Sequence, residues 1–227
     1  YKNHSEFCPF KARGAVFGLS GGIDSAVVGA LCKKAFGENA LGLIMPCYSD
    51  PQDEIDARRL ATSMDIKFKV VNLDNALDEF IKAVGDSDNR MAKANVKPRL
   101  RMASLYYYAA LNNYLVVGSE NKSELTIGYF TKHGDNGVDL MPIGDLVKSQ
   151  VRLLARQLGV LDDIIEKVPT AGLWAGQTDE EEMGMSYDEL DSYILKGITS
   201  KPEIGDEIAV LNKKSEHKRH LPPIFHV

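Results

Sequence analysis

Ala15-Val16-Phe17-Gly18-Leu19-Ser20-Gly21-Gly22-Ile23-Asp24-Ser25 is the stretch whose reading decides the fold. Val16, Phe17 and Leu19 are apolar and β-prone, so it opens as a buried strand. Downstream, Val27, Leu31 and Ala35 recur at spacing four with Val28 and Cys32 beside them. That spacing predicts a helix starting near Asp24. Between strand and helix, Ser20, Gly21 and Gly22 allow a tight turn whose N–H groups stay uncovered. With the positive end of the helix dipole behind them, these donors form a cradle for a phosphate or pyrophosphate. The competing reading is a plain turn with Asp24 and Ser25 as capping residues. The length of the word and its strand–helix setting favour the cradle.

No Lys follows these glycines, so the turn is not the P-loop G-x-x-x-x-G-K-[ST]. Nor does it carry the G-x-G-x-x-G of dinucleotide-binding folds. Ser20-Gly21-Gly22-Ile23-Asp24-Ser25 instead resembles the PP-loop of the ATP pyrophosphatases. Those enzymes cleave ATP between the α- and β-phosphates and use the AMP to activate a carbonyl or carboxylate oxygen.

The chain has 227 residues, 44% hydrophobic and 26% charged, which suits a single domain over 1–227 with a sizeable core. A net charge of -5 argues against a general nucleic-acid binder. Cys8, Cys32 and Cys47 are scattered and form no C-x-x-C, so neither a disulfide framework nor a zinc site is indicated. A reducing, cytoplasmic setting is expected. No apolar run reaches transmembrane length and no signal-peptide core is present, so no membrane association is expected.

Working outward, Leu41 to Met45, Ile66 to Val71 and Tyr114 to Val117 read as strands. Ala57, Leu60, Ala61 and Met64 mark one intervening helix, and Leu77, Phe80, Ile81 and Val84 a second. A third runs from about Pro98 to Asn112, with Tyr106, Tyr107 and Tyr108 read as core or a dimer face. This β-α-β-α pattern predicts a doubly wound, mostly parallel sheet with helices on both faces. Ligands in such sheets sit beyond the carboxyl ends of the strands. The glycine turn, Pro46 to Asp50, and Gly118 to Asn121 should therefore converge.

Gly128 to Pro142 is a Gly- and Asp-rich loop too long for a connector, and so read as functional. Val147, Val151, Leu154 and Leu158 predict a helix with Asp145 as N-cap. Pro169 to Gly184 is a second irregular stretch, and its Trp174 is read as core or interface. Ser186 with Glu189 looks like a capping box. A last helix near Glu203 to Lys214 precedes the charged tail Glu216 to Arg219.

Glu124 and Asp135 should face the nucleotide site with Asp24, and carboxylates beside a triphosphate commonly hold Mg²⁺. Glu124 on a solvated helix face is the alternative. Arg99 and Arg101 are two apart and point to different faces of a helix, so only one can easily reach a ligand. Lys132 and Lys148 supply cations where a pyrophosphate leaving group needs them.

Several segments, in one order from about Gly14 to the C-terminus, together resemble NAD synthetase. They are the PP-loop word, Asn95 to Met102, Asn121 to Asp139, Leu140 to Lys148, Pro169 to Trp174 and Glu216 to Arg219. The resemblance implies an adenine nucleotide alpha-hydrolase-like fold. It implies that Gly18, Leu19, Ser20, Gly21, Gly22, Ile23, Asp24 and Ser25 bind ATP phosphates, with Ser119, Lys148 and Thr170. Ser119 stands where the family usually has Thr. Asp24 and Glu124 would be Mg²⁺ ligands. Arg101, Lys132, Asp139, His217 and Lys218 would bind deamido-NAD. Asp135 would lie near the nicotinate and the entering ammonia, and with Lys148 is the candidate catalytic residue.

The implied reaction is an ATP-dependent amidation of deamido-NAD through an adenylate, by a homodimer. The short chain suggests the ammonia-dependent type, since a glutaminase domain has no room. Two other readings stand beside it. A tRNA-thiolating PP-loop enzyme would want catalytic cysteines and a basic RNA surface. A non-catalytic adenine-nucleotide module would leave Glu124, Lys132 and Lys148 without a role.

Overall fold

The computed structural model of the chain describes residues 12–170, 172 and 176–225. Trp174 lies outside the described residues. Four parallel strands form the sheet: β1 (Gly14–Gly18), β2 (Ala40–Ile44), β3 (Lys67–Val70) and β4 (Tyr114–Val117), in the order β3-β2-β1-β4. Val16 lies opposite Leu41 on one side and Val116 on the other. The helices are α1 (Ile23–Phe36), α2 (Pro51–Ser63), α3 (Asp74–Val84), α4 (Arg90–Ala94), α5 (Val96–Asn112), α6 (Lys122–Ile127), α7 (Lys148–Leu158), α8 (Asp162–Ile165), α9 (Asp179–Met183), α10 (Tyr187–Lys196) and α11 (Pro202–Lys214).

The strand period assigns the two faces of the sheet. Ala15 and Phe17 point into a core built with Val27 of α1, Leu60 of α2 and Val151 of α7. Val16 points the other way, to Leu43, Leu77 and Leu105. Both faces are therefore covered, as the continuous apolar run of β1 requires. A third cluster, Ile127, Met183, Tyr187, Leu190 and Ile208, packs the C-terminal helices on α6. From β1 the chain winds outward to β2 and β3, then returns to place β4 on the opposite side. The crevice between β1 and β4 is thus the topological switch point, where ligands of such sheets bind.

Local expectations are corrected in five places. The helix after β1 starts at Ile23, and neither Asp24 nor Ser25 caps it; Gly22 occupies that position. The long helix is preceded by α4, and α5 begins at Val96. Pro98 sits in its first turn, where a missing N–H costs nothing. Phe80 and Val84 on the apolar stripe of α3 are exposed. Ser186 accepts from the Glu189 N–H, but the Glu189 carboxylate accepts from Ser200, so that capping box is not closed. A closed box forms instead at Asn121 and Glu124. Asp145 does not cap α7; it pairs with Lys122 at the surface. The cap comes from α10, where Asp191 accepts from the N–H groups of Lys148 (3.3 Å) and Ser149 (2.7 Å). The return end of the 128–142 loop bonds back to β4, with Leu140 paired in parallel to Val117.

Candidate active site

The PP-loop is shaped from inside by Ser25. Its hydroxyl accepts from the Ser20 N–H and donates to the Gly22 carbonyl at 2.9 Å. Gly21 has φ +79°, and a Cβ there would lie 2.6 Å from the Asp53 carbonyl of α2. Only glycine permits both the backbone conformation and the close approach. The N–H groups of Ile23, Asp24 and Ser25 belong to the first helical turn and have no intrahelical carbonyl to meet. They supply the donors of the anion cradle.

A cavity of about 470 Å³ opens over this loop at the switch point. Gly18, Leu19, Ser20, Gly22, Ile23, Asp24 and Ser25 line it, with Ser119, Glu124, Asp135, Lys148, Thr170, Arg101 and Lys218. Gly21 turns away against α2.

Three chain regions meet at one ammonium. Lys148, buried at the start of α7, reaches Asp24 at 2.6 Å and Glu124 at 3.4 Å. Its Nζ also lies 4.7 Å from the centre of the Tyr187 ring. Asn121 caps α6 and donates to Asp24 at 3.0 Å, tying the β4 end to the PP-loop helix. Burial works against the Lys148 charge, but Asp24 and Glu124 outweigh it and raise its pKa above the lysine range. Glu124 moves contrary to what pairing alone would give. Burial first, then Asp24, push it up to about 7 against the pull of Lys148. One ammonium serves two carboxylates, and the shorter contact goes to Asp24. Glu124 is the weaker partner and accepts from Tyr187 as well.

Asp135 accepts from the Thr131 N–H at 2.7 Å, and burial raises its pKa. Arg101 donates to the Met45 carbonyl and to Ser49 while lining the cavity. Arg99 faces elsewhere and donates to the Lys132 carbonyl. Lys218 donates to the Gly128 and Phe130 carbonyls, closing the tail onto the loop. Lys132 and His217 meet at 3.4 Å beside it, outside the cavity lining. Asp139 also lies outside. Its carboxylate accepts from the Val116 N–H and from Tyr106.

Sequence reading missed four members of the site. Asp179 and Glu182, on α9, reach the cavity wall and accept from Tyr129. Lys167 lines the wall and pairs with Asp53 and Asp56. Glu120 is buried at the β4 end. The acidic run Asp179 to Glu182 was the visible signal for α9, and the strand-end position of Gly118 to Asn121 was that for Glu120; Lys167 had none.

The family model described as NAD synthase matches residues 5–222. This chain belongs to the NAD synthase family. It is 51% identical to a protein named NH(3)-dependent NAD(+) synthetase of Carboxydothermus hydrogenoformans, over 94% of this chain and 89% of that one. Its fold superposes on a structure titled NMN synthetase from Francisella tularensis with a TM-score of 0.93 and 37% identity, covering 99% and 94% of the two chains. The NH3-dependent NAD synthetase of Campylobacter jejuni, solved with a nitrate ion, gives 0.80 and 33%, covering 98% and 93%.

Asp24 and Glu124 are the two carboxylates that the loop mouth offers to a cation, with the Lys148 ammonium between them. Among the described residues no group of three or more His, Cys, Asp and Glu could hold a metal. Two carboxylates completed by phosphate oxygens are the usual arrangement for Mg²⁺ bound with a nucleotide. Among the described residues no helix is long and apolar enough to cross a membrane.

Proposed function

We propose that this chain is an ammonia-dependent NAD synthetase, a ligase that amidates the nicotinate carboxylate of deamido-NAD at the expense of ATP. The observation that carries the reading is the Asp24–Lys148–Glu124 cluster at the mouth of the PP-loop, in one cavity with Asp135 and Arg101. A nicotinate oxygen attacks the α-phosphorus, and pyrophosphate leaves. The loop N–H groups and the Lys148 ammonium neutralise charge that develops on the leaving group. Ser119 and Thr170 serve the nucleotide. Ammonia then attacks the acyl carbon beside Asp135, and AMP leaves.

Asp24 and Glu124 would hold Mg²⁺ together with ATP, and the ion would supply further positive charge at the phosphates. Arg101 and Lys218 hold the acceptor within the cavity. Lys132, Asp139 and His217 are assigned to its far nucleotide. Catalysis is then mainly positioning and charge compensation. The buried, unpaired Cys32 and Cys47 suit a reducing cytoplasm. Exposed Tyr107 and Leu111 on α5 suit a homodimer, which sedimentation tests.

The testing experiment supplies ATP, Mg²⁺, ammonium and deamido-NAD. NAD, AMP and pyrophosphate should appear in equal amounts. Binding of ATP without turnover, or turnover dependent on tRNA, would overturn the reading. The likeness to a protein titled NMN synthetase brings a second acceptor, the mononucleotide. A higher kcat/KM with nicotinate mononucleotide would change the substrate and leave the reaction class in place.

A further inference from the structure

We propose that Glu120 is the second carboxylate of the ammonium site in this cavity, facing the entering nitrogen beside Asp135 and taking one of its protons. This rests on the reading that ammonia is the nucleophile.

Glu120 follows the carboxyl end of β4, is 6% exposed, and lines the cavity. Among the described residues, its Oε2 is the one buried side-chain oxygen or nitrogen with no hydrogen-bond partner. Gly118 makes the room for it: a Cβ there would lie 2.7 Å from Oε2 and 2.9 Å from the Val138 side chain. After burial, Asp135 and then Glu124 and Asp24 raise its pKa, all of them acidic. The nearby cations are otherwise engaged, Lys148 with Asp24 and Glu124, and Arg101 with Met45 and Ser49.

The backbone N–H of Glu120 itself favours the charged carboxylate, but a buried oxygen left without a partner is costly, so Oε2 has room for a donor that a ligand brings. Burial first, then Asp135, hold the Glu120 carboxyl well above the usual range, which gives it affinity for a proton. A small cation carrying N–H donors matches this pair of oxygens.

The proton count fits two carboxylates. Ammonium enters with four N–H bonds, and the amide keeps two. Glu120, protonated while the cavity holds no cation, releases that proton as ammonium binds and then takes one from ammonium. The freed lone pair forms the C–N bond at the acyl carbon. The C–O bond to AMP breaks, and its electron pair leaves on the phosphate oxygen. The second proton passes from the new amide nitrogen to Asp135. The proton on Glu120 restores its starting state, and the one on Asp135 reaches solvent as products depart.

Glu120→Gln keeps the shape and removes the acceptor charge. Its apparent KM for ammonium should rise on the order of ten- to a hundredfold, the loss of a charge-assisted contact. The KM values for ATP and deamido-NAD should stay within about twofold. Pyrophosphate exchange into ATP with deamido-NAD, which needs no ammonia and a folded site, should match wild type. Hydroxylamine, a neutral nucleophile near neutral pH, should serve the variant about as well as wild type. If Glu120→Gln fails to fold, Glu120→Asp is read in the same assays and should show a smaller rise for ammonium alone. An unchanged ammonium KM means that Oε2 meets only water, and overturns the proposal. A rise shared by all three substrates also overturns it. Failure of wild type to amidate deamido-NAD would instead sink the functional reading.

Discussion

The Lys148 ammonium lies 2.6 Å from the Asp24 carboxylate across 124 residues of sequence, and its side chain is 2% exposed. A cation buried this deeply beside the phosphate cradle has two roles. It keeps Asp24 and Glu124 from repelling each other, and in the proposed reaction it would meet the leaving pyrophosphate. Lys148→Met removes both. The variant should lose about 3–5 kcal/mol of stability, the usual cost of stranding a buried charge, and on the order of 10²–10³ in kcat. Thermal denaturation and pyrophosphate release measure the two. A stable variant with near-normal turnover would show that the cluster is only structural decoration of the cavity.

Asp191 positions that lysine from another helix. It accepts from Ser123, Lys148 and Ser149, and it is 4% exposed. Asp191→Ala removes the cap of α7, which should cost at least about 1–2 kcal/mol. It should also lower kcat roughly tenfold while the KM values stay near wild type, because Lys148 begins the uncapped turn. Asp191→Asn, retaining one acceptor, should fall between. Equal loss in both variants would place the effect on charge rather than capping.

The same pair of residues shows what a sequence discloses. The strand, PP-loop and α1 were legible because period-two and period-four apolar spacing abut glycines in one short word. The parallel sheet followed from repeating that alternation. The Asp191 cap was not legible, because the donor and acceptor lie on different helices; Asp145, nearer in sequence, looked the better cap and is at the surface. Phe80 and Val84 carried a helical stripe that the fold leaves exposed. Glu120 was legible only as part of the strand-end segment Gly118 to Asn121; its isolation arises only when Gly118, Val138 and Asp135 close around it.

Glu120 makes the pH dependence of stability testable. Its pKa in the fold lies well above the ordinary 4.5, because burial disfavours the charge. The folded state therefore holds a proton that the unfolded chain gives up. Stability from this group is complete below that ordinary value and is lost as pH rises from there towards the folded pKa. Glu120→Gln should be free of this loss. Measured without ammonium, its melting temperature relative to wild type should climb as pH rises above 4.5. A constant difference across that range would mean that Glu120 titrates normally.

Lys167 should act through the floor of the PP-loop. Its ammonium lies 2.9 Å from Asp53 and 2.7 Å from Asp56, and Gly21 packs on the same turn of α2. Burial pushes Asp56 up, but hydrogen bonds from Lys167 and Gln52 bring its pKa below 3.8 on balance. Its contribution is thus present above that value and lost as pH falls through the folded pKa. Lys167→Met should destabilise by about 1–3 kcal/mol at neutral pH and flatten that acid-side dependence. The KM for ATP should rise several-fold, with deamido-NAD unmoved. A shift in the deamido-NAD constant alone would move Lys167 to the other substrate.

Lys132 separates the two substrates from the opposite side. It meets His217 at 3.4 Å, next to Lys218, whose ammonium donates to the Gly128 and Phe130 carbonyls. Loop and tail therefore converge outside the phosphate cradle, where the far part of a dinucleotide would lie. On the proposed function, binding energy gathered there would help hold the nicotinate carboxylate on the α-phosphorus. Lys132→Ala should raise the KM for deamido-NAD roughly ten- to a hundredfold, as a charge-assisted contact worth about 1.5–3 kcal/mol implies. The KM for ATP should change little. The mononucleotide acceptor, which lacks the far nucleotide, should be amidated equally well by variant and wild type. A change in the ATP constant alone would assign Lys132 to the triphosphate and redraw the boundary between the two subsites.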